Sequence, residues 1–287
     1  MRSLLIFLLT ALLVASCGQS NDSSQSPPQA QVQPTRTLDN DYGNPNLKTG
    51  NPSKARPDPV SADNFLMVKP EYVLSYNKSR NLANWASWQL NKSWMGNAKR
   101  QNNFRPDPDL PNGWYRVLTR DYSSSGFDRG HLVNSEDRGK SVEANSATFL
   151  MSNIVPQAPE NNQGAWENLE SYSRDLAKQG KELYIVAGVS GTGGEGKNGL
   201  ATQLKGKIAV PATMWKVILV LDDPTKGLAG VNENTRTIAV IMPNKQGRQK
   251  WQNFCVSVND VQKLTGYDFF SNLLPDIQTK IEAKKGC

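Results

Sequence analysis

Three apolar, β-branched segments constrain this chain most. ELYIVAG (182–188), MWKVILVLD (214–222) and TRTIAVIMP (235–243) have the length and composition of central strands. EYVLSYN and ANWASWQL read as further strands, the second placing Trp85 and Trp88 in an alternating context, and WYRVLTRDY and ATFLMSNIV read as two more. The clearest helix is NQGAWENLESYSRDLAKQGK, closed by Gly180 as its C-cap. A last helix falls within SNLLPDIQTKIEAKK, interrupted or started at Pro275. No internal repeat is visible. The pattern predicts one α+β domain over residues 60–287 with a single core, its packed part beginning near Asn64.

The N-terminus reads differently. Arg2 precedes an apolar run from Leu4 to Val14, too short to span a bilayer as a mature helix and suited to a signal peptide over residues 1–16. The run ends in Val14-Ala15-Ser16-Cys17, which resembles the lipobox of bacterial lipoproteins, where Cys17 would be acylated and become the new N-terminus. An ordinary cleaved signal with Cys17 near the cut is the other reading. Residues 17–59 are rich in Ser, Gln, Pro and Asn and predict a flexible tether. The expected location is therefore exported and membrane-anchored, at the outer membrane or cell surface because Gly18 rather than aspartate follows the cysteine. Without acylation the protein would be periplasmic or secreted. Export permits a disulfide between Cys255 and Cys287; alternatively Cys255 is a buried thiol in NFCVSV and Cys287 frays. Two cysteines and one histidine cannot build the usual four-ligand structural zinc site.

Two stretches invite a chemical reading. GVSGTGGEGKNG follows a strand, but a phosphate-binding glycine loop must open a helix, and here the chain continues into LKGKIAVPATMWKVILV. A hairpin-like loop is the better reading. GFDRGHLVNSEDR holds the only histidine, His131, with Asp128 and Arg129 beside it, and Gly130 is expected to let the backbone turn tightly so that these groups converge. Downstream, in APENNQGAWENLESYSR, a helix entered near Asn161 would set Asn162, Trp166, Glu170 and Arg174 on one i, i+4 row, drifting about 40° per step. An amide, a carboxylate and a guanidinium would share that face. A solvated face with a Glu170–Arg174 ion pair would look the same.

DRGH with the downstream NNQGAWENLE resembles the DNA/RNA non-specific endonucleases, the ββα-metal family, NucA type, and the likeness extends from about Gly50 to Ala283 through NWASWQLNKSWMGNAKRQNNFRPD and LTGYDFFSNLLPDIQTKIE. It implies a ββα-metal nuclease fold in one domain, with a central, mostly antiparallel β-sheet flanked by helices. It implies His131 as general base, Asn162 as the sole protein ligand of a Mg²⁺ ion for which Mn²⁺ may substitute, and Glu170 as a ligand acting through water. Arg100 in AKRQNNF and Arg174 match arginines on the scissile phosphate, Arg129 matches a phosphate or leaving-group contact, and Asp128 an orienting residue. The implied substrates are DNA and RNA, single- and double-stranded, cut to 5′-phosphate ends.

The chemistry suits these residue types. Imidazole takes a proton from water near neutral pH, Mg²⁺ accepts a neutral amide oxygen and keeps waters, and the arginine fork engages phosphate at two points. A formal charge of +7, lowered by one when Arg2 leaves with the signal, supports a polyanionic partner. The tryptophans read as core rather than base-stacking platforms. The rival is a surface lipoprotein that binds nucleic acid without cutting it; a structural envelope protein is a weaker third.

Overall fold

The computed structural model describes residues 43–287. The expected signal peptide, Cys17 and the first part of the tether lie outside the described residues. Strands β1 (Phe65–Val68), β2 (Val73–Asn77) and β3 (Leu82–Leu90) come first, then a separate pair, β4 (Asp128–His131) and β5 (Ile154–Gln157), with α1 (Val142–Ala147) between them. Helix α2 (Glu167–Lys178) leads into β6 (Glu182–Ser190), the short β7 (Gly194–Gly196), β8 (Gly199–Ala201), β9 (Gln203–Leu204) and β10 (Ile208–Ala209), and the long β11 (Thr213–Leu221) and β12 (Arg236–Pro243). Strand β13 (Cys255–Val256) and helices α3 (Val258–Thr265) and α4 (Pro275–Glu282) close the chain.

Seven strands form one sheet in the order β1-β2-β3-β6-β11-β12-β13, with every neighbouring pair antiparallel. Successive side chains alternate between its faces. Met214, Ile218 and Val220 of β11 join the core that holds Leu169 and Leu176 of α2, whereas Trp215, Val217 and Leu219 join the one that holds α3, α4 and Phe269. Both faces are dry, which is why the three apolar segments show no polar alternation. β4, β5 and α2 form a ββα layer on the first face. The glycine-rich loop is a hairpin, β7 pairing with β8. Gly180, with φ +94°, follows α2 as expected, and α4 starts at Pro275. Cys255 and Cys287 are disulfide-bonded, which settles the open alternative; a bridge closing a loop of this size contributes about 3–4 kcal/mol by restricting the unfolded chain.

Four expectations need correction. The single core is two, one on each face of the sheet. WYRVLTRDY is not a strand: Trp114, Val117 and Tyr122 are buried, but the Asp121 carboxylate accepts the Leu118 N–H at 2.8 Å and the Tyr115 hydroxyl at 2.7 Å, closing a local turn instead of a ladder. ATFLMSNIV makes only an isolated bridge at Leu150, to Arg105, and a 3₁₀ turn over Met151–Asn153 before its strand starts at Ile154. The tether expected over residues 17–59 already belongs to the packed body in its last part. Leu47 and Ala55 are buried in the core on the far face, Ser87 Oγ donates to the Asn46 carbonyl at 2.6 Å, and Trp85 Nε1 donates to Ser53 Oγ at 2.8 Å. A polar composition concealed specific partners for β3. A chain beginning at Val60 is therefore expected to be less stable than one beginning at Gly43 by at least the about 2–5 kcal/mol of a buried leucine, as read by urea unfolding; equal midpoints would show that this segment is dispensable.

Candidate active site

Strand β4 pairs with β5 so that Asp128 lies opposite Gln157 and His131 opposite Ile154. Beyond His131 the backbone is held by buried Asn153, whose main-chain carbonyl accepts from Leu132 N at 3.0 Å and whose side-chain Oδ1 accepts from Val133 N at 3.0 Å. Gly130 sits in extended strand and not in the tight turn expected of it. A Cβ there would stand 2.2 Å from Gln157 Oε1 and 2.6 Å from its Cβ, so glycine is required by close approach across the ladder.

His131 is 7% exposed. Its ring packs against those of Phe104 and Phe149, with centroids 5.5 and 5.0 Å away, and the two phenyl rings also pack together, their centroids 4.9 Å apart. Each phenyl ring carries an arginine: Arg129 stands 4.3 Å from the Phe104 centroid and Arg100 5.0 Å from that of Phe149. Arg100 is steadied by donation to Ser135 Oγ at 2.6 Å and to Asn102 Oδ1 at 2.9 Å. Imidazole Nε2 is buried and has no hydrogen-bond partner. Burial first, then the two guanidiniums, push the imidazole pKa down to about 3, so the ring is neutral across the physiological range.

Asp128 Oδ2 accepts from Asn162 Nδ2 at 2.9 Å and from Gln163 Nε2 at 2.7 Å. With its amide nitrogen committed, Asn162 has Oδ1 as the side-chain atom that could serve a cation. The helix carrying Asn162 is not the uninterrupted α-helix that the i, i+4 row assumed. Asn161–Trp166 is a π-helical turn in which Gly164 leaves helical geometry, and the α-helix proper begins at Glu167. The result is that Asn162 is half-buried beside β4 while Trp166 and Glu170 turn inward.

Glu170 does not pair with Arg174. Its Oε2 accepts from Asn134 Nδ2, and its Oε1, buried without a hydrogen-bond donor, lies 3.6 Å from Lys216 Nζ. Burial pushes the Glu170 carboxyl up and the Lys216 ammonium down, each countered by the other's charge. Arg174 is instead held by Glu136 at 2.8 Å and Asp137 at 3.3 Å, so its guanidinium is largely neutralised by carboxylates. Among the sequence-derived site residues, Asp128 and Asn162 are in direct contact, and Arg100, Arg129 and His131 share one aromatic cluster. Arg174 reaches the same layer through Asp137. Lys216, Asn134, Asp137, Phe104 and Phe149 were not singled out from sequence. Only Lys216 carried a signal, as a lone charge inside an apolar strand.

A neutral base beside exposed guanidiniums suits a phosphate anion, and enzymes that hydrolyse phosphodiesters combine those features. Residues 50–276 match the DNA/RNA non-specific endonuclease family. The chain is 50% identical over 277 residues to the protein named Nuclease from Nostoc sp. (strain PCC 7120 / SAG 25.82 / UTEX 2576), covering 96% of each. It is 33% identical over 218 residues to mitochondrial Endonuclease G of Homo sapiens, covering 73% of this chain and 70% of that one. One chain of the solved EndoG/EndoGI complex matches with TM-score 0.67 over 88% of this chain and 100% of that chain, at 22% identity, a likeness of fold. The protein belongs to the DNA/RNA non-specific endonucleases and is an endonuclease.

Because the chain has one histidine, its imidazole resonance can be followed without assignment. The expected result is a ¹³C-labelled ring signal that stays constant from about pH 8 to about pH 5, since the folded pKa lies near 3. A midpoint near the ordinary value would contradict the burial argument. The sign for stability follows: between about 6.5 and about 3 the unfolded imidazole binds a proton that the folded one refuses, so His131 lowers stability as pH falls through that window.

Proposed function

We propose that this endonuclease is a Mg²⁺-dependent, sugar-non-specific enzyme that cleaves single- and double-stranded DNA and RNA to 5′-phosphate ends. The observation that carries the reading is the Asp128–Asn162 contact on the strand that also holds buried His131, whose aromatic neighbours each carry an arginine. The donor set fits a hard divalent cation. The Asn162 amide nitrogen is committed to Asp128, which leaves Oδ1 for a cation, the Glu170 carboxylate lies on the helix that follows, and among the described residues no group of three His, Cys, Asp or Glu side chains competes for the ion. Asn162 would hold the cation directly and Glu170 through water. The ion, when bound, would stabilise charge on the phosphate and on the departing 3′ oxygen.

The protein's own part follows from the geometry. Arg100 and Arg129 bind phosphate oxygens and bring the phosphorus to His131. The imidazole takes a proton from a water whose oxygen bonds to phosphorus as the bond to the 3′ oxygen breaks, and that oxygen regains a proton from solvent. A phosphate lodged between the arginines also cancels the positive surroundings that, after burial, hold the imidazole down, so His131 becomes more basic in the complex than in the free enzyme. Arg174, tied to Glu136 and Asp137, would reach phosphate only by exchanging a partner. Binding alone would not require the set of His131, Asn162, Glu170 and Arg174, which disfavours the non-cleaving rival.

Nicking of supercoiled plasmid and degradation of RNA in Mg²⁺, both abolished by EDTA, are the expected behaviour. His131→Ala should lower turnover by roughly 10²–10⁴-fold, Asn162→Ala should lose activity through metal affinity, and Glu170→Ala should lose less. DNA bound but uncut in Mg²⁺ would return the assignment to the rival. The sequence at Val14–Cys17 further supports export and an acyl anchor. Cys17→Ser should release the protein from the membrane fraction, and unchanged partitioning would overturn the anchor.

A further inference from the structure

Lys216 is the one strand residue of β11 whose chemistry contradicts its surroundings. It occupies the face shared by Met214 and Ile218, is 1% exposed, and its ammonium lies 4.0 Å from the ring centroid of Trp166 and 5.9 Å from that of Trp88. Among the described residues its one carboxylate within ion-pair reach is Glu170, at 3.6 Å. A buried ion pair of this kind is rarely the most stable filling for its space: replacing both members by apolar groups of similar volume is often neutral or better, whereas removing one strands the other. Of these three neighbours, Trp166 and Glu170 belong to the helix that carries Asn162, and Trp88 belongs to β3.

We propose that Lys216 is a positioning residue of the nuclease site, its ammonium fixing the Glu170 carboxylate and the Trp166 indole from beneath and so setting the placement of the metal-binding helix turn. This rests on the Mg²⁺-dependent reading above. Asn134 holds one carboxylate oxygen, so Lys216 determines where the other points. Without the ammonium, the buried Glu170 Oε1 loses its ion-pair partner, and the carboxylate is expected to rotate out of its position towards water. Trp166 lies between Asn162 and Glu170 in sequence, and the π-helical turn ends on it, so a cation held against its face also braces that turn.

The test compares Lys216→Met, Lys216→Arg, Glu170→Gln and the Lys216→Met/Glu170→Gln double variant by three measurements. These are Mn²⁺ affinity by EPR titration of the otherwise metal-free protein, kcat and KM on a defined oligonucleotide, and Tm. Lys216→Met is expected to lower Tm, because it leaves the buried Glu170 carboxylate without its countercharge, with Tm recovered in the double variant. It should weaken Mn²⁺ binding and kcat by roughly 10–100-fold as partners of metal ligands do, and leave KM within about twofold. Lys216→Arg should recover part of the loss. In the Glu170→Gln background, Lys216→Met should add less than about twofold, because its effect passes through the carboxylate. Wild-type Mn²⁺ affinity and kcat in Lys216→Met would overturn the inference, as would a full-sized loss in the Glu170→Gln background or a fall in Tm with metal affinity intact. Should Lys216→Met not fold, the same comparisons are made with Lys216→Gln. A wild-type protein that fails to cleave in Mg²⁺ would instead sink the functional reading itself.

Discussion

Exclusion of water from the space between the large sheet and the ββα layer governs this protein. Polar groups in that space cannot be left to solvent, so they are either paired with other protein groups or held uncharged. His131 takes the second course. Asp137 takes the first, accepting from Trp88 Nε1 at 2.9 Å and from Arg174 at 3.3 Å. Arg138, fully buried, donates to the carbonyls of Glu71, Gln89 and Asp137 and stacks 4.3 Å from the Trp94 ring centroid. The same dryness that raises the cost of these charges strengthens any interaction they later make with substrate.

The antiparallel sheet makes that space possible. Strands β6, β11 and β12, apolar on both sides, separate the site-bearing layer from the layer of α3 and α4. The C-terminal layer is fastened by the Cys255–Cys287 bond and the far face of the sheet by the Pro45–Leu47 segment. The site therefore stands on rigid elements: a strand pair closed against Gln157 by a glycine, and a helix packed through Leu169, Leu176 and Ala177. The one irregular piece, the π-helical turn, is where Asn162 lies, and it is pinned by Asp128 from the adjoining strand. Precision at the site comes from contacts between layers and not from the regularity of the helix.

Much of this was legible in the chain. The central strands, α2 with its terminating Gly180, the start of α4 at Pro275 and the hairpin nature of the glycine-rich loop all follow from local pattern. Where the pattern failed, a side chain had taken over the backbone's hydrogen bonds or a polar residue had found a distant partner. Asp121 turns WYRVLTRDY away from a strand, and Asn46 and Ser53 dock a segment whose composition reads as tether. Gly130 was flagged for the wrong reason, since its need arises from Gln157, which is remote in sequence.

The sequence by itself determined the α+β class, the family, and the candidate site residues Asp128, Arg129, His131, Asn162 and Glu170, because periodicity and motif spacing are properties of the chain alone. Only the tertiary structure decided how those groups behave. The neutrality of His131 depends on Phe104, Phe149 and Arg100, the pairing of Glu170 on Lys216, and the commitment of Arg174 on Glu136 and Asp137. Charge state and pairing are set by what lies within a few ångströms once water is gone, and no spacing along the chain specifies that.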